Sequence, residues 1–156
     1  MQNRLDFSGK VVIVTGGGKG VGRGITERFL SNGANVIICG RSEPETLPSA
    51  GNKSAVFYQV DVRDADAIQT FVDTVVSEFG RIDVLVNNAG GAPAADAATV
   101  SPRFSESIIR LNLLGPLNFS QSCNRIMQTQ DSGGAIINIA SVSAVRPSPG
   151  TAAYGA

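Results

Sequence analysis

The β-branched run Val11-Val12-Ile13-Val14-Thr15 feeds directly into Gly16-Gly17-Gly18-Lys19-Gly20-Val21-Gly22, and a helical pattern follows at once. This junction constrains the fold more than any other feature of the chain. A strand without polar alternation is covered on both faces, as in a parallel sheet flanked by helices. A glycine turn between such a strand and a helix lets an anionic group approach backbone N–H groups at the helix N-terminus, where a Cβ would block it. The glycines that matter, Gly16, Gly20 and Gly22, are spaced G-x-x-x-G-x-G. The G-x-G-x-x-G fingerprint fits nowhere in the turn, and Gly20 rather than Ser or Thr follows Lys19, so it is not a Walker A loop. The expected ligand is the diphosphate of a dinucleotide, with Thr15, Gly16, Gly18, Lys19, Gly20, Val21 and Gly22 as candidate contacts.

The rest of the chain alternates in the same manner. Val21, Ile25, Phe29 and Leu30 recur at helical spacing over residues 20–32, and Gly33 ends that helix. A second strand is expected over 35–39. A polar, proline-containing stretch over 42–53 stands where a second long helix would be. A third strand covers 55–60 and Asp61 closes it. Asp64 is the expected cap of a helix reaching Phe79, with Ile68, Phe71, Val72, Val75 and Val76 on its inner face and Gly80 as its stop. A fourth strand covers 83–87, with Asp83 read as structural. An alanine-rich loop covers 90–101. Pro102 fits the first turn of a long helix to about residue 128. A fifth strand covers 135–140, and 141–156 read as loop. This order predicts an α/β Rossmann-type fold, a doubly wound parallel sheet, in one domain over 1–156.

Composition excludes several classes of function. Lys plus Arg and Asp plus Glu balance at 13 each and are scattered, so nucleic acid is not an expected partner. The chain has no histidine, which removes Ser-His-Asp triads and most zinc sites. Cys39 and Cys123 show no ligand spacing and read as reduced core thiols, so no metal is expected. Residues 1–6 lack the apolar stretch of a leader, and no run approaches the roughly 18–20 apolar residues of a membrane span. A soluble, cytoplasmic protein is expected.

The end of the second strand discriminates between dinucleotides. NAD binders usually place Asp or Glu there to hold the ribose hydroxyls. Here the place is filled by Gly40-Arg41-Ser42. An acid would repel a 2′-phosphate, whereas Arg41 can clamp one with charge-assisted hydrogen bonds, and Lys19 supplies a second positive charge. NADP is the expected cofactor, with NAD as the alternative.

With these residues in view, the sequence resembles the classical members of the short-chain dehydrogenase/reductase family from about Ser8 onward. The marks are the glycine turn, Asn87-Asn88-Ala89-Gly90 at the end of the fourth strand, Asn112 in the long helix, Ser141 after the fifth strand, and Tyr154 at the family's distance from Ser141. The resemblance implies an oxidoreductase that interconverts a small carbonyl compound and an alcohol by hydride transfer. It implies that Ser141 bonds the substrate oxygen, that Tyr154 is the general acid/base, and that Asn112 bends its helix and holds a water. It also implies that Asp61 and Val62 meet the adenine, Asp61 at its amino group, and that Asn88, Ala89 and Gly90 line the path of the cofactor.

The resemblance also exposes a gap. A free tyrosine, with a pKa of about 10, is a poor base near neutrality. The family places a lysine four residues after the tyrosine, which would be position 158. Its members carry two more strands, seven in all, and a substrate loop. The expectation is a C-terminally truncated piece of an enzyme whose parent is a homo-oligomer, with the fifth strand as an open edge and Ile136, Ile137 and Ile139 short of cover. Ketone-reductase turnover by a monodisperse, cooperatively melting 1–156 chain would overturn that expectation. A non-catalytic dinucleotide-binding module is the rival from another class.

Overall fold

The computed structural model describes residues 5–146 and 149–156. Residues 1–4 of the expected leaderless N-terminus and residues 147–148 of the expected 141–156 loop lie outside the described residues. The first strand, β1 (Val11–Thr15), is buried at every position, and α1 (Gly20–Ser31) follows the glycine turn. Next come β2 (Asn35–Gly40), the two-residue strands β3 (Ser49–Ala50) and β4 (Lys53–Ser54), β5 (Val56–Gln59) and α2 (Ala65–Phe79). Strand β6 (Val84–Asn87) leads through a long loop to α3 (Pro102–Ile109), and after a π-helical turn to α4 (Gly115–Met127). The chain closes with β7 (Ala135–Asn138), a 3-10 turn (Val142–Ala144) and α5 (Ala152–Gly155).

Five parallel strands form the sheet in the order β5-β2-β1-β6-β7. Its register places Ile13 beside Ile37 and Leu85, and Val14 beside Ile38 and Val86. Because successive side chains alternate in direction, the strands feed two separate cores. Val11, Ile13, Ile37, Cys39 and Leu85 pack with Ile68, Phe71, Val72 and Val75 of α2 and with Phe119, Cys123 and Met127 of α4. Val12, Val14, Val36, Ile38, Val84 and Val86 pack on the other face with Ile25, Phe29 and Leu30 of α1. Edge-on aromatic contacts, Tyr58 to Phe71 and Phe71 to Phe119, tie β5 to both helices of the first core.

Helix boundaries follow local chemistry. The Asp64 carboxylate accepts the N–H groups of Asp66 and Ala67 at 3.0 and 3.1 Å, as expected of an N-cap. Gly80 ends α2 in a left-handed conformation, φ 76°, with its N–H on the Val76 carbonyl. Ser101 caps α3 by accepting from Phe104 N–H at 3.2 Å, with Pro102 in the first turn.

Several expectations are corrected. Residues 42–53 are not wholly irregular, because β3 and β4 pair as a small hairpin around Gly51, φ 61°. The long helix is not uniformly α: residues Arg110–Leu114 form a π-helical turn. Pro116 has no N–H to give the carbonyl four residues back, and the Asn112 side chain takes the Ile108 carbonyl at 2.9 Å. Finally, 141–156 is not all loop, since it holds the 3-10 turn and α5. The last strand ends at Asn138, two residues early, although Ile139 N–H still donates to Asn87 O at 2.9 Å. On this edge Ile137 and Ile139 stand 42% and 44% exposed, and Ile136 is partly buried. No helix among the described residues is long and apolar enough to cross a membrane.

Candidate functional site

The chain runs from β1 outward to β2 and β5, then returns to lay β6 on the opposite side of β1. At such a reversal the loops at the C-terminal strand ends part and leave a crevice. A cleft of about 820 Å³ opens there. It is lined by Gly16, Gly18, Lys19, Val21 and Gly22 from the first turn, Arg41 from the end of β2, Asp61 and Val62 after β5, and Asn88, Ala89 and Gly90 after β6. These expected contacts come from four strand ends and meet in one place.

Two expected contacts do not line the cleft. Thr15 is buried beneath it, where its hydroxyl oxygen accepts the N–H groups of Asn88 at 3.0 Å and Ala89 at 2.9 Å. It thereby joins the ends of β1 and β6. Gly20 begins α1 with φ 54°, a conformation that glycine adopts without strain.

The turn fits a diphosphate. A Cβ on Gly22 would lie 2.3 Å from Gly16 O and 2.4 Å from Asn88 Nδ2, so α1 can approach β1 this closely only through glycine. A Cβ on Gly16 would crowd Asn88 and Ala89 at 3.2 Å. Lys19 is the N-cap of α1, and no side chain caps the helix there. The unfilled N–H groups of a helix start attract an anion. Gly17, absent from the expected set, lies under the turn: a Cβ there would meet Ile38 Cγ2 at 2.4 Å and Thr26 Oγ1 at 2.7 Å. Its position within a glycine run is the only hint the sequence carries.

The far end of the cleft is charged. Gln59 Nε2 donates to the Arg41 carbonyl at 3.0 Å and holds that backbone beside β5. Asp61 is paired with Arg63, a residue that sequence reasoning missed. The guanidinium lies along the carboxylate, with Nε 2.9 and 3.2 Å from Oδ1 and Oδ2 and Nη2 2.5 Å from Oδ2, and Arg63 N–H donates to Oδ1 at 3.0 Å. This bonding to Arg63, with the nearby Arg41 charge adding to it, holds the Asp61 carboxyl below its ordinary range despite partial desolvation. The signal for it was the Asp-x-Arg spacing, which lets one side chain fold back on the other. Gly115 approaches from α4, where a Cβ would sit 2.6 Å from Val62 O.

The three expected catalytic residues do not line this cleft. Asn112 lies in the π-helical turn and bonds Gly91 twice. Ser141 Oγ accepts Ser143 N–H at 3.1 Å and opens the 3-10 turn. Tyr154 lies on α5 in a small depression with Ala92, Pro93 and Phe104. Helix α5 packs on the turn that Ser141 opens: a Cβ on Gly155 would be 2.9 Å from Ser143 O.

Other polar groups are structural. Asp83, at the opposite end of the sheet, accepts Val11 N–H at 2.9 Å, Lys10 Nζ at 3.0 Å and Arg81 Nε at 2.7 Å. Burial pushes its carboxyl up, but Arg81, Val11 and Lys10 together outweigh this and hold it low. Burial pushes the Cys39 and Cys123 thiols up to about 12, as for inert core cysteines.

Known proteins share this fold. Residues 10–156 match the family model described as short chain dehydrogenase. The chain is 37% identical over 143 residues to L-fucose dehydrogenase of Bos taurus, covering 87% of this chain and 50% of that protein. It is 35% identical over 158 residues to a 3-oxoacyl-[acyl-carrier-protein] reductase of Thermotoga maritima, covering 97% of this chain and 63% of that protein. The crystal structure of a short chain dehydrogenase from Bacillus anthracis superposes with a TM-score of 0.86 at 34% identity, covering 94% of this chain and 63% of that one. With a switch-point cleft, a glycine-floored turn and a family match over residues 10–156, this chain belongs to the short-chain dehydrogenase/reductase family of oxidoreductases.

Proposed function

We propose that the chain binds NADP(H) in the switch-point cleft and belongs to an enzyme that interconverts a small carbonyl compound and an alcohol. The observation that carries the cofactor choice is Arg41 at the end of β2, lining the cleft where NAD binders present an acid. Lys19 lines the same cleft from the glycine turn. The bound cofactor supplies or accepts the hydride. Lys19 and the start of α1 hold the diphosphate, and Asn88, Ala89 and Gly90 support the path toward the nicotinamide. Tyr154 gives a proton to the substrate oxygen during reduction or takes it during oxidation, and Ser141 hydrogen-bonds that oxygen. Asn112 keeps its helix bent beside the site. The protein acts in the cytoplasm.

The test is a pair of fluorescence titrations with NADPH and NADH on wild type and R41A. Charge-assisted bonds of roughly 1.5–3 kcal/mol correspond to about a ten- to hundredfold loss of NADPH affinity in R41A, with little change for NADH. Tighter binding of NADH by wild type would overturn the cofactor assignment. One observation favours a second reading, a dinucleotide-binding module without chemistry: neither Ser141 nor Tyr154 lines the cleft. Binding of NADPH without oxidation by any aldehyde or ketone in a broad panel would favour it.

A further inference from the structure

Arg63 holds the Asp61 carboxylate at both oxygens. Oδ1 receives Arg63 N–H and Nε, and Oδ2 receives Nη2 and the second contact from Nε. Three N–H groups of Arg63 therefore meet the carboxylate, with the single Nε hydrogen shared between its two oxygens. The remaining guanidinium nitrogen, Nη1, reaches Ser107 Oγ of α3 at 3.4 Å. Arg63 is thus held between the loop after β5 and α3, and it lines the cleft together with Asp61 and Arg41.

The charges matter as a set. Asp61 and Arg41 line the same cleft, and the Arg41 charge acts on the Asp61 carboxyl, so without Arg63 an unmet carboxylate would compete with an anion for that guanidinium. With Arg63 in place the Asp61 charge is already met by side-on, charge-assisted bonds. Among the described residues Arg41 makes no ion pair, and its guanidinium is open to a ligand.

We infer that Arg63 is a specificity-determining residue of the cleft: by occupying Asp61 it keeps Arg41 available to a phosphomonoester on the adenosine ribose. Arg63 acts through Asp61 and Arg41, so it is a positioning residue. The inference rests on the role of Arg41 proposed above.

The experiment measures NADPH and NADH affinities by fluorescence titration for wild type, R41A, R63Q, R63K and the double variant D61N/R63Q. Circular dichroism melts report whether each variant is folded. R63Q is expected to lose about five- to tenfold in NADPH affinity, the effect of one uncompensated charge near a partly exposed site, with NADH changed less than twofold. D61N/R63Q removes the charge that Arg63 was meeting and is expected to regain wild-type selectivity. R63K keeps the charge and is expected to fall between wild type and R63Q. Equal losses for the two cofactors in R63Q, or no recovery in the double variant, would overturn the inference while leaving a selective loss in R41A intact. A wild-type preference for NADH would overturn both. If R63Q fails to fold, the comparison of R63K with D61N/R63Q decides: recovery of selectivity in the double variant alone supports the inference, and its absence overturns it.

Discussion

Asn112 and Gly91 are joined twice: Gly91 N–H donates to Asn112 Oδ1 at 2.7 Å, and Asn112 Nδ2 donates to Gly91 O at 3.0 Å. The amide of one residue and the backbone of the other form a closed pair between the π-helical turn and the loop that follows Asn88-Ala89-Gly90. A Cβ on Gly90 would stand 2.7 Å from Asn112 Oδ1, so the loop passes this close only because Gly90 lacks one. The wall of the cleft after β6 therefore takes its shape from a residue on another element.

N112A removes both bonds and leaves a partly buried N–H and carbonyl on Gly91. Leaving such groups unpaired costs about 1–3 kcal/mol. A urea titration followed by circular dichroism is expected to show that loss, with an unchanged m-value. A midpoint equal to that of wild type would show that the pair contributes nothing to the fold.

Two glycines in one helix are expected to respond in opposite directions. G22A drives a methyl against Gly16 O and Asn88 Nδ2, and overpacking of this kind costs about 1–3 kcal/mol. It is also expected to abolish dinucleotide binding. In G24A the methyl meets nothing within 4 Å, so the lower helix propensity of glycine is relieved and stability rises by about 0.5–1 kcal/mol. Thermal melts of the two variants test the contrast. A G22A protein as stable as G24A would contradict the close packing of α1 on β1.

Acid should weaken the fold through Asp83. Its carboxyl is held below the ordinary 3.8, so the stabilisation it gives is present above that value and is lost as pH falls through the lower folded-state value. Asp61, also held low, adds to the same acid limb. In D83N the neutral amide bonds Arg81 and Lys10 less strongly. Its stability is expected to be lower at pH 7 by about 1–3 kcal/mol and to change less between pH 5 and pH 2. Stability curves for wild type and D83N that stay parallel in acid would refute this.

Cys39 and Cys123 are 2% and 0% exposed, with thiols pushed up to about 12. Neither is expected to react with Ellman's reagent at pH 8 in the native state, and both should react in 6 M guanidinium. Fast labelling of either native thiol would contradict its place in the core.

Features set by neighbouring residues were legible in the sequence. The Asp64 cap, the Gly80 stop and Pro102 in the first turn of α3 act within one helical turn of themselves. Strand β1 could be read as fully covered because its run has no polar alternation. The resemblance implied a bend at Asn112, but its π-helical form was not legible, since Leu111 to Leu114 fit an α-helical pattern equally well and the turn is completed by the Asn112 amide and Pro116. The β3–β4 hairpin escaped for a related reason: strands of two residues carry too little alternation to register.

By itself the sequence determined the alternation of strand and helix, the glycine turn, and the residue types offered to a dinucleotide. Those properties reside in short stretches of chain, where backbone preference and hydrophobic spacing act directly. Only the tertiary structure decided what meets what. It brought Arg41, Asp61 and Asn88 from three strand ends to one cleft, put Arg63 on Asp61, placed Thr15 beneath the cleft rather than in it, and set Tyr154 in a separate depression. Contacts between residues far apart in the chain depend on strand order, and strand order depends on how two hydrophobic faces of one sheet are covered at once.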